Sequence, residues 1–286
     1  MSCATLTNTK GNNCPTAMDI AKRLIFVPEL DASGAKNELL IASEITKTAL
    51  QAKFDASASK DRYYPISALE NVEDLRAEPT YFEFNSGVKS KTKEGTRTFT
   101  GFIPFQGAEY LAKLEKWECA NFGIYIIDKA GNFIYSKEGA KAQPIMIAKD
   151  SFSAEFIKKT ETEPAMIKIM FDFREGQKDS DLRLEEASAL DFDGLSEVDV
   201  YGLFDASVAS VAGGSGESVL TITEADYGFA IEGLVAGDLA LSSGAVTSLT
   251  ETAEGVYTLV TTAVTGDTVT ISKAGYDSTA TALTVG

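Results

Sequence analysis

With 286 residues, 44% of them hydrophobic and 24% charged, the chain has the composition of a globular protein long enough for two domains with separate cores. Its 26 basic residues against 42 acidic ones leave a formal charge of -16, which repels nucleic-acid phosphates and argues against a sequence-reading DNA binder. Histidine is absent, so Ser-His and Cys-His nucleophile systems are excluded within the chain. No carboxylate or lysine constellation replaces them, and the expectation is a protein that is not an enzyme and carries no cofactor or metal.

Residues 1–20 form a polar N-terminal arm without the apolar core of a signal peptide, and no later run approaches the length of a membrane span. This predicts a soluble chain, made in a cytoplasm and not inserted in a membrane. Cys3 and Cys14 either pair or stay reduced in a flexible arm, and cytoplasmic synthesis favours reduced thiols. Cys119 follows an apolar helical segment and is expected to be a buried thiol.

From Lys22 to Leu30 the chain reads KRLIFVPEL, a short strand closed by Pro28. Leu40, Ile41, Ile45, Ala49, Leu50 and Phe54 fall near helical spacing and predict a helix within residues 43–55. The period then changes to two. YFEFNSGV and TFTGFIPF flank the charged stretch KSKTKEGTR, which predicts a long β-hairpin whose tip carries Lys89, Lys91, Lys93 and Arg97. Such a basic cluster on an acidic protein is either a solvated turn or a docking element for an acidic neighbour.

Residues 107–119 give the best helix, with Tyr110, Leu111, Leu114 and Trp117 on one face. NFGIYIIDKAGNFIYSKEG reads as a hairpin, and PIMIAKDSFSAEFIKK and AMIKIMFDF continue as strands. Together these predict a mainly β, α+β assembly domain over residues 21–206, in which a β-sandwich or barrel carries one or two packed helices. A Gly/Ser stretch, residues 207–216, has the composition of a linker. Residues 217–286 then offer about seven short Thr- and Val-rich strands, the pattern of a small β-sandwich.

Asp179-Ser180-Asp181 and Asp191-Phe192-Asp193-Gly194 with Glu197 invite a metal assignment, but neither provides the ligand series of a calcium loop. Glu185-Glu186 reads likewise as a solvated pair. Trp117, Tyr63, Tyr64 and Tyr81 sit at helical or alternating spacing and are expected in the core rather than on a ligand platform.

The order of polar arm, long hairpin, amphipathic helix and the hairpin FGIYIIDKAGNFIY resembles the tube protein of long-tailed phages, chiefly over residues 62–183. The segment GVYTLVTTAVTGDTVTISKAGYDSTATALTV is similar to bacterial Ig-like domains, which often end in a strand and a turn of the kind made here by Lys273, Gly275 and Tyr276. The resemblance implies hexameric rings stacked into a tail tube in the virion, contacts with other tail proteins, and an Ig-like domain displayed outside. It also implies a lumen through which DNA passes without sequence-specific binding, its wall kept repulsive by Asp and Glu. Another virion component, such as a head decoration or adaptor-ring protein, is the alternative, and a cell-surface adhesin module is the third.

Overall fold

The computed structural model describes residues 18–162, 164–273 and 275–286. Nearly all of the expected N-terminal arm, with Cys3 and Cys14, lies outside the described residues. The fold is mainly β with two short α-helices.

In chain order, β1 (Ala21–Pro28) and β2 (Leu39–Leu40) precede α1 (Lys47–Phe54). β3 (Tyr64–Pro65), β4 (Glu70–Arg76), β5 (Thr80–Glu83), β6 (Lys89–Lys93) and β7 (Arg97–Pro104) lead to α2 (Ala108–Glu115). There follow β8 (Phe122–Asp128), β9 (Phe133–Glu138), β10 (Lys141–Gln143), β11 (Ile145–Met146), β12 (Ser153–Ile157), β13 (Met166–Asp172) and β14 (Leu182–Glu185). The C-terminal part contains β15 (Phe204–Ala212), β16 (Glu217–Glu224), β17 (Leu239–Leu241), β18 (Val246–Ala253), β19 (Val256–Thr261), β20 (Thr268–Ile271), β21 (Tyr276–Ser278) and β22 (Thr281–Ala282).

The first unit has a central sheet in the order β2-β10-β9-β8-β1-β3, with β11 and β14 added at its flanks, and a second sheet in the order β12-β13-β7-β4. β1 and β8 read as unbroken apolar runs because each buries both faces. Leu24, Phe26, Ile124 and Ile126 meet Phe99, Ile167, Ile169 and Phe171 of the second sheet. Their neighbours Ile25, Val27, Tyr125 and Ile127 turn the other way, onto Leu50 and Phe54 of α1 and onto Phe192 and Val200. The central sheet is therefore the middle of three layers, with one core on each side. The expected helix in residues 43–55 is α1, whose start is fixed by Thr46 Oγ1 accepting the Ala49 N–H at 3.3 Å.

The C-terminal unit is a two-sheet sandwich, β18-β19-β16-β15-β21 over β17-β20-β22, around Leu220, Ile222, Tyr257, Leu259 and Val269. Residues 207–216 are not a linker. β15 pairs with β16 from Ala206↔Glu224 to Ala212↔Ser218, and residues 213–216 are the turn between them, held by the Gly213 N–H to the Glu217 carbonyl and the Gly216 N–H to the Gly286 carbonyl. A Gly/Ser turn and a Gly/Ser linker have the same composition; the alternating Ala206 and Val208, which point into the core, distinguish them here. A cut at residue 217 would strip β15 of its partner. Residues 228–233 contribute only the bridge Thr223↔Ala230.

The two units touch through ion pairs. Arg62 meets Asp277 at 2.9 Å, and Lys113 on α2 reaches Asp205 at 3.2 Å and also Asp226. Burial pulls the Lys113 pKa down, but the hydrogen bonds and charges of Asp226 and Asp205 outweigh it and the net shift is upward.

Candidate assembly surface

The four-stranded sheet β12-β13-β7-β4 packs only one of its faces. Phe99, Ile103, Ile167, Ile169 and Phe171 enter the core, and the alternating residues Thr98, Thr100, Lys168 and Asp172 lie on the other side. Across that outer face the register places Glu155, Lys168 and Phe102 in one row, and the Thr98 hydroxyl donates to Asp172 at 2.6 Å in another. Each edge strand has a partner on one side alone: β4 pairs with β7, and β12 pairs with β13. Such edges are templates for a further strand.

β4 and β7 continue beyond the body as β5 and β6, so the expected long hairpin exists, with its strands placed differently. The junction is a tight crossing where the Ala77 N–H bonds the Thr96 carbonyl and a Cβ on Gly95 would lie 1.6 Å from the Ala77 carbonyl oxygen. The turn lies at residues 84–88, closed by the Phe84 N–H to the Val88 carbonyl at 2.9 Å.

The four cations therefore do not share a tip. Lys89, Lys91 and Lys93 run along β6, and Arg97 sits at the base of the arm, at the start of β7. Lys89 meets Glu83 across the ribbon at 3.5 Å and Lys91 pairs with Glu94. Residues 77–96 carry Lys89, Lys91 and Lys93 against Glu78, Glu83 and Glu94, so the arm is neutral overall. The Arg97 guanidinium joins Asp74 at 2.6 Å and Asp179 at 2.9 Å and lies 4.7 Å from the centre of the Phe173 ring. Burial draws its pKa down, yet the Asp74 and Asp179 contacts outweigh burial and the net shift is upward. It is a structural cation that fastens the base of the arm, and Asp179 is the partner it shares with Arg76.

What the arm presents instead is apolar. The pairs Tyr81↔Lys91 and Glu83↔Lys89 share one face, whereas Phe82, Phe84, Val88 and Ser90 fall on the other. Phe82 and Phe84 pack edge to face with centroids 5.0 Å apart and remain 55% and 49% exposed. Tyr81, expected in the core, is 54% exposed. The signal was in the sequence: Tyr81 and Phe82 are adjacent, and neighbours on a strand point to opposite faces, so a bare two-stranded ribbon cannot bury both.

A second exposed aromatic group lies at the far end of β7. Phe105 has φ +61° and is 82% exposed, an uncommon backbone state for a bulky residue. Two residues on, the Tyr227 ring rests against Gly107, where a Cβ would approach its hydroxyl to 3.1 Å, and Tyr227 stacks on Phe229 with centroids 5.9 Å apart.

The acidic clusters serve as local braces. Asp191 accepts the Lys47 N–H at 2.7 Å, Asp193 accepts the Leu195 N–H at 2.9 Å, and Glu197 lies 3.5 Å from the buried Arg23 guanidinium. Tyr135 donates its hydroxyl to Glu185 at 2.8 Å. Among the described residues no group of three or more acids and cysteines is arranged to hold a metal ion, and no helix is long and apolar enough to cross a membrane. Cys119, expected to be buried, is exposed, because it lies past the end of α2 in the turn that leads into β8. Tyr63 is buried as expected, and Tyr64 and Trp117 are half-buried, packing edge to face with centroids 5.0 Å apart.

No protein-family model, no curated protein and no solved structure matches this chain.

Proposed function

We propose that this chain is a structural protein of a phage tail, one whose copies close into hexameric rings that stack into the tail tube. The reading rests on the sequence resemblance, and one structural observation carries it further: a four-stranded sheet whose edge strands each pair on one side alone, with one face uncovered, prolonged into an arm that packs on nothing among the described residues. Joining β4 of one copy to β12 of the next satisfies the unpaired backbone groups of both edges and makes the contact heterologous, which is what a closed ring requires.

Charge supports this pairing. Glu73 stands on the β4 edge, while Lys158 and Lys159 follow the β12 edge, all exposed and without an ion pair among the described residues. The uncovered face becomes the wall of the lumen, where Glu155 and Asp172 outnumber Lys168 and discourage phosphates from adhering, so that DNA passes without being read. The C-terminal sandwich is the Ig-like unit of the resemblance and lies outside the wall. The protein's place is then the virion, and its partners are further copies of itself and the proteins at the two ends of the tube.

Negative-stain electron microscopy of the purified full chain tests the reading. Rings or tubes with a central lumen are expected at high protein concentration, and Lys158→Glu with Lys159→Glu should remove them unless Glu73→Lys is added. A chain that remains monomeric at every concentration and ionic strength overturns it.

A further inference from the structure

We infer that the C-terminal sandwich is a latched module, held against the first unit by Lys113 and Arg62 and free to swing about Gly202 and Leu203 once those cations are disengaged. The inference does not depend on the tube reading. Two apolar clusters lie within residues 21–201 and the third within residues 206–285, and among the described residues no buried apolar side chain belongs to both units. An interface without a shared core leaves relative motion of the units as the expectation.

The joint is short. Tyr201 is fastened to the first unit, its ring 5.6 Å from that of Phe54 and its hydroxyl donating to Asp55 at 2.7 Å. Phe204 opens β15, and its N–H already donates to the Gly275 carbonyl at 2.9 Å. Gly202 and Leu203 between them belong to no helix or strand. A swing of the sandwich as a rigid body needs new backbone angles at little more than these two residues.

Charge decides which arrangement the joint takes. Residues 201–286 hold Lys273 against ten acids, a net of -9, and the rest of the chain carries the remaining -7 of the -16, so the two units repel each other at a distance. At contact the signs are opposite. The first unit supplies Lys113 and Arg62, and the sandwich supplies Asp205, Asp226 and Asp277. Arg62 is preset for its partner, because its Nε donates to the Ala56 carbonyl at 2.6 Å while its Nη1 reaches Asp277. Lys113 neutralises a crowd. Burial, and then the Asp226 charge, hold the Glu224 carboxyl above its ordinary pKa, and Lys113 and Asp205 act on the same group.

These latches are weak enough to open. The Asp205 side chain is 57% exposed, and ion pairs open to solvent contribute little individually. Tyr227, the ring that leans on Gly107 across the joint, is itself 41% exposed. Attraction that acts only at contact, set against repulsion that persists beyond it, gives a closed and an open form separated by a small margin.

Double electron–electron resonance between nitroxides at Lys137→Cys in the first unit and Ser243→Cys in the sandwich, both exposed positions, reads the arrangement in the folded full chain. Cys3, Cys14 and Cys119 are first replaced by Ser, and the labelled chain is diluted in unlabelled chain so that only distances within one copy are read. A single narrow distance is expected from the parent. Lys113→Glu with Arg62→Glu should replace it by a broad distribution. Asp205→Lys, Asp226→Lys and Asp277→Lys together should do the same, and they leave the first unit untouched should the other pair of changes impair its folding. Combining all of these changes reverses both partners of every latch and should restore a narrow distance. A distribution already broad in the parent, one that stays narrow in a folded variant altered on one side, or one that stays broad in the folded combined variant overturns the inference.

Discussion

The near and far halves of one hairpin share their backbone pairing and differ in what lies beneath them. β7 pairs with β13 and lays Phe99 and Ile103 in the core, β4 adds half-buried Val72 beside it, and Phe99 stacks on Phe171 with centroids 4.8 Å apart and planes within 11°. β5 and β6 have the same antiparallel ladder but bury no side chain at all. A two-stranded ribbon without a packed face is marginal in water, since cross-strand pairs contribute only about 0.2–1 kcal/mol each. The near half thus contributes to the stability of the single chain. The far half, exposed along its whole length, contributes little to it.

The largest expected effect belongs to the near half. Phe171→Ala empties a fully buried site in contact with Phe99, Phe152 and Phe173, and should cost about 3–5 kcal/mol, read as a lower urea midpoint with an unchanged slope. A cost below about 1 kcal/mol would mean that the sheet is not packed as described.

At the junction, Arg97→Met removes charge-assisted bonds to Asp74 and Asp179 while keeping much of the stem that covers Phe173. An intermediate loss of about 1–3 kcal/mol is expected, together with faster amide exchange in residues 77–96 than in the body. Equal exchange in the two regions would detach the arm's order from this anchor.

Smallest is the far half. Phe84→Ser should change the stability of the isolated chain by no more than about 0.5 kcal/mol, because the ring is already half in water. A clear drop in the urea midpoint of the monomer would show that the arm packs on its own body and would erase the contrast between the halves.

Several features were legible before the fold was known. The alternation in AMIKIMFDF gave β13, with Ile167, Ile169 and Phe171 inward as written, and the apolar stripe of residues 107–119 gave α2, though the helix stops at Glu115. These patterns are local: burial of one face imposes a period on the sequence, and the period can be read back. Charge was less legible. Four cations within nine positions looked like one cluster, but three lie along a strand, where Lys89 and Lys91 pair with Glu83 and Glu94, and the fourth closes an ion network with Asp179, 82 residues away in the chain.

Composition, the absence of histidine and the local periodicities are properties of the chain itself, and they pointed to a mainly β protein with one or two packed helices and no imidazole chemistry. Tertiary structure alone decided that residues 207–216 pair as a strand and its turn, that Cys119 faces solvent, and that the aromatic residues of the arm have nothing to cover them. The reason is physical. A side chain's preference for leaving water is local to the residue, whereas the surface that receives it is assembled from segments far apart in sequence, and for the arm no segment among the described residues provides that surface.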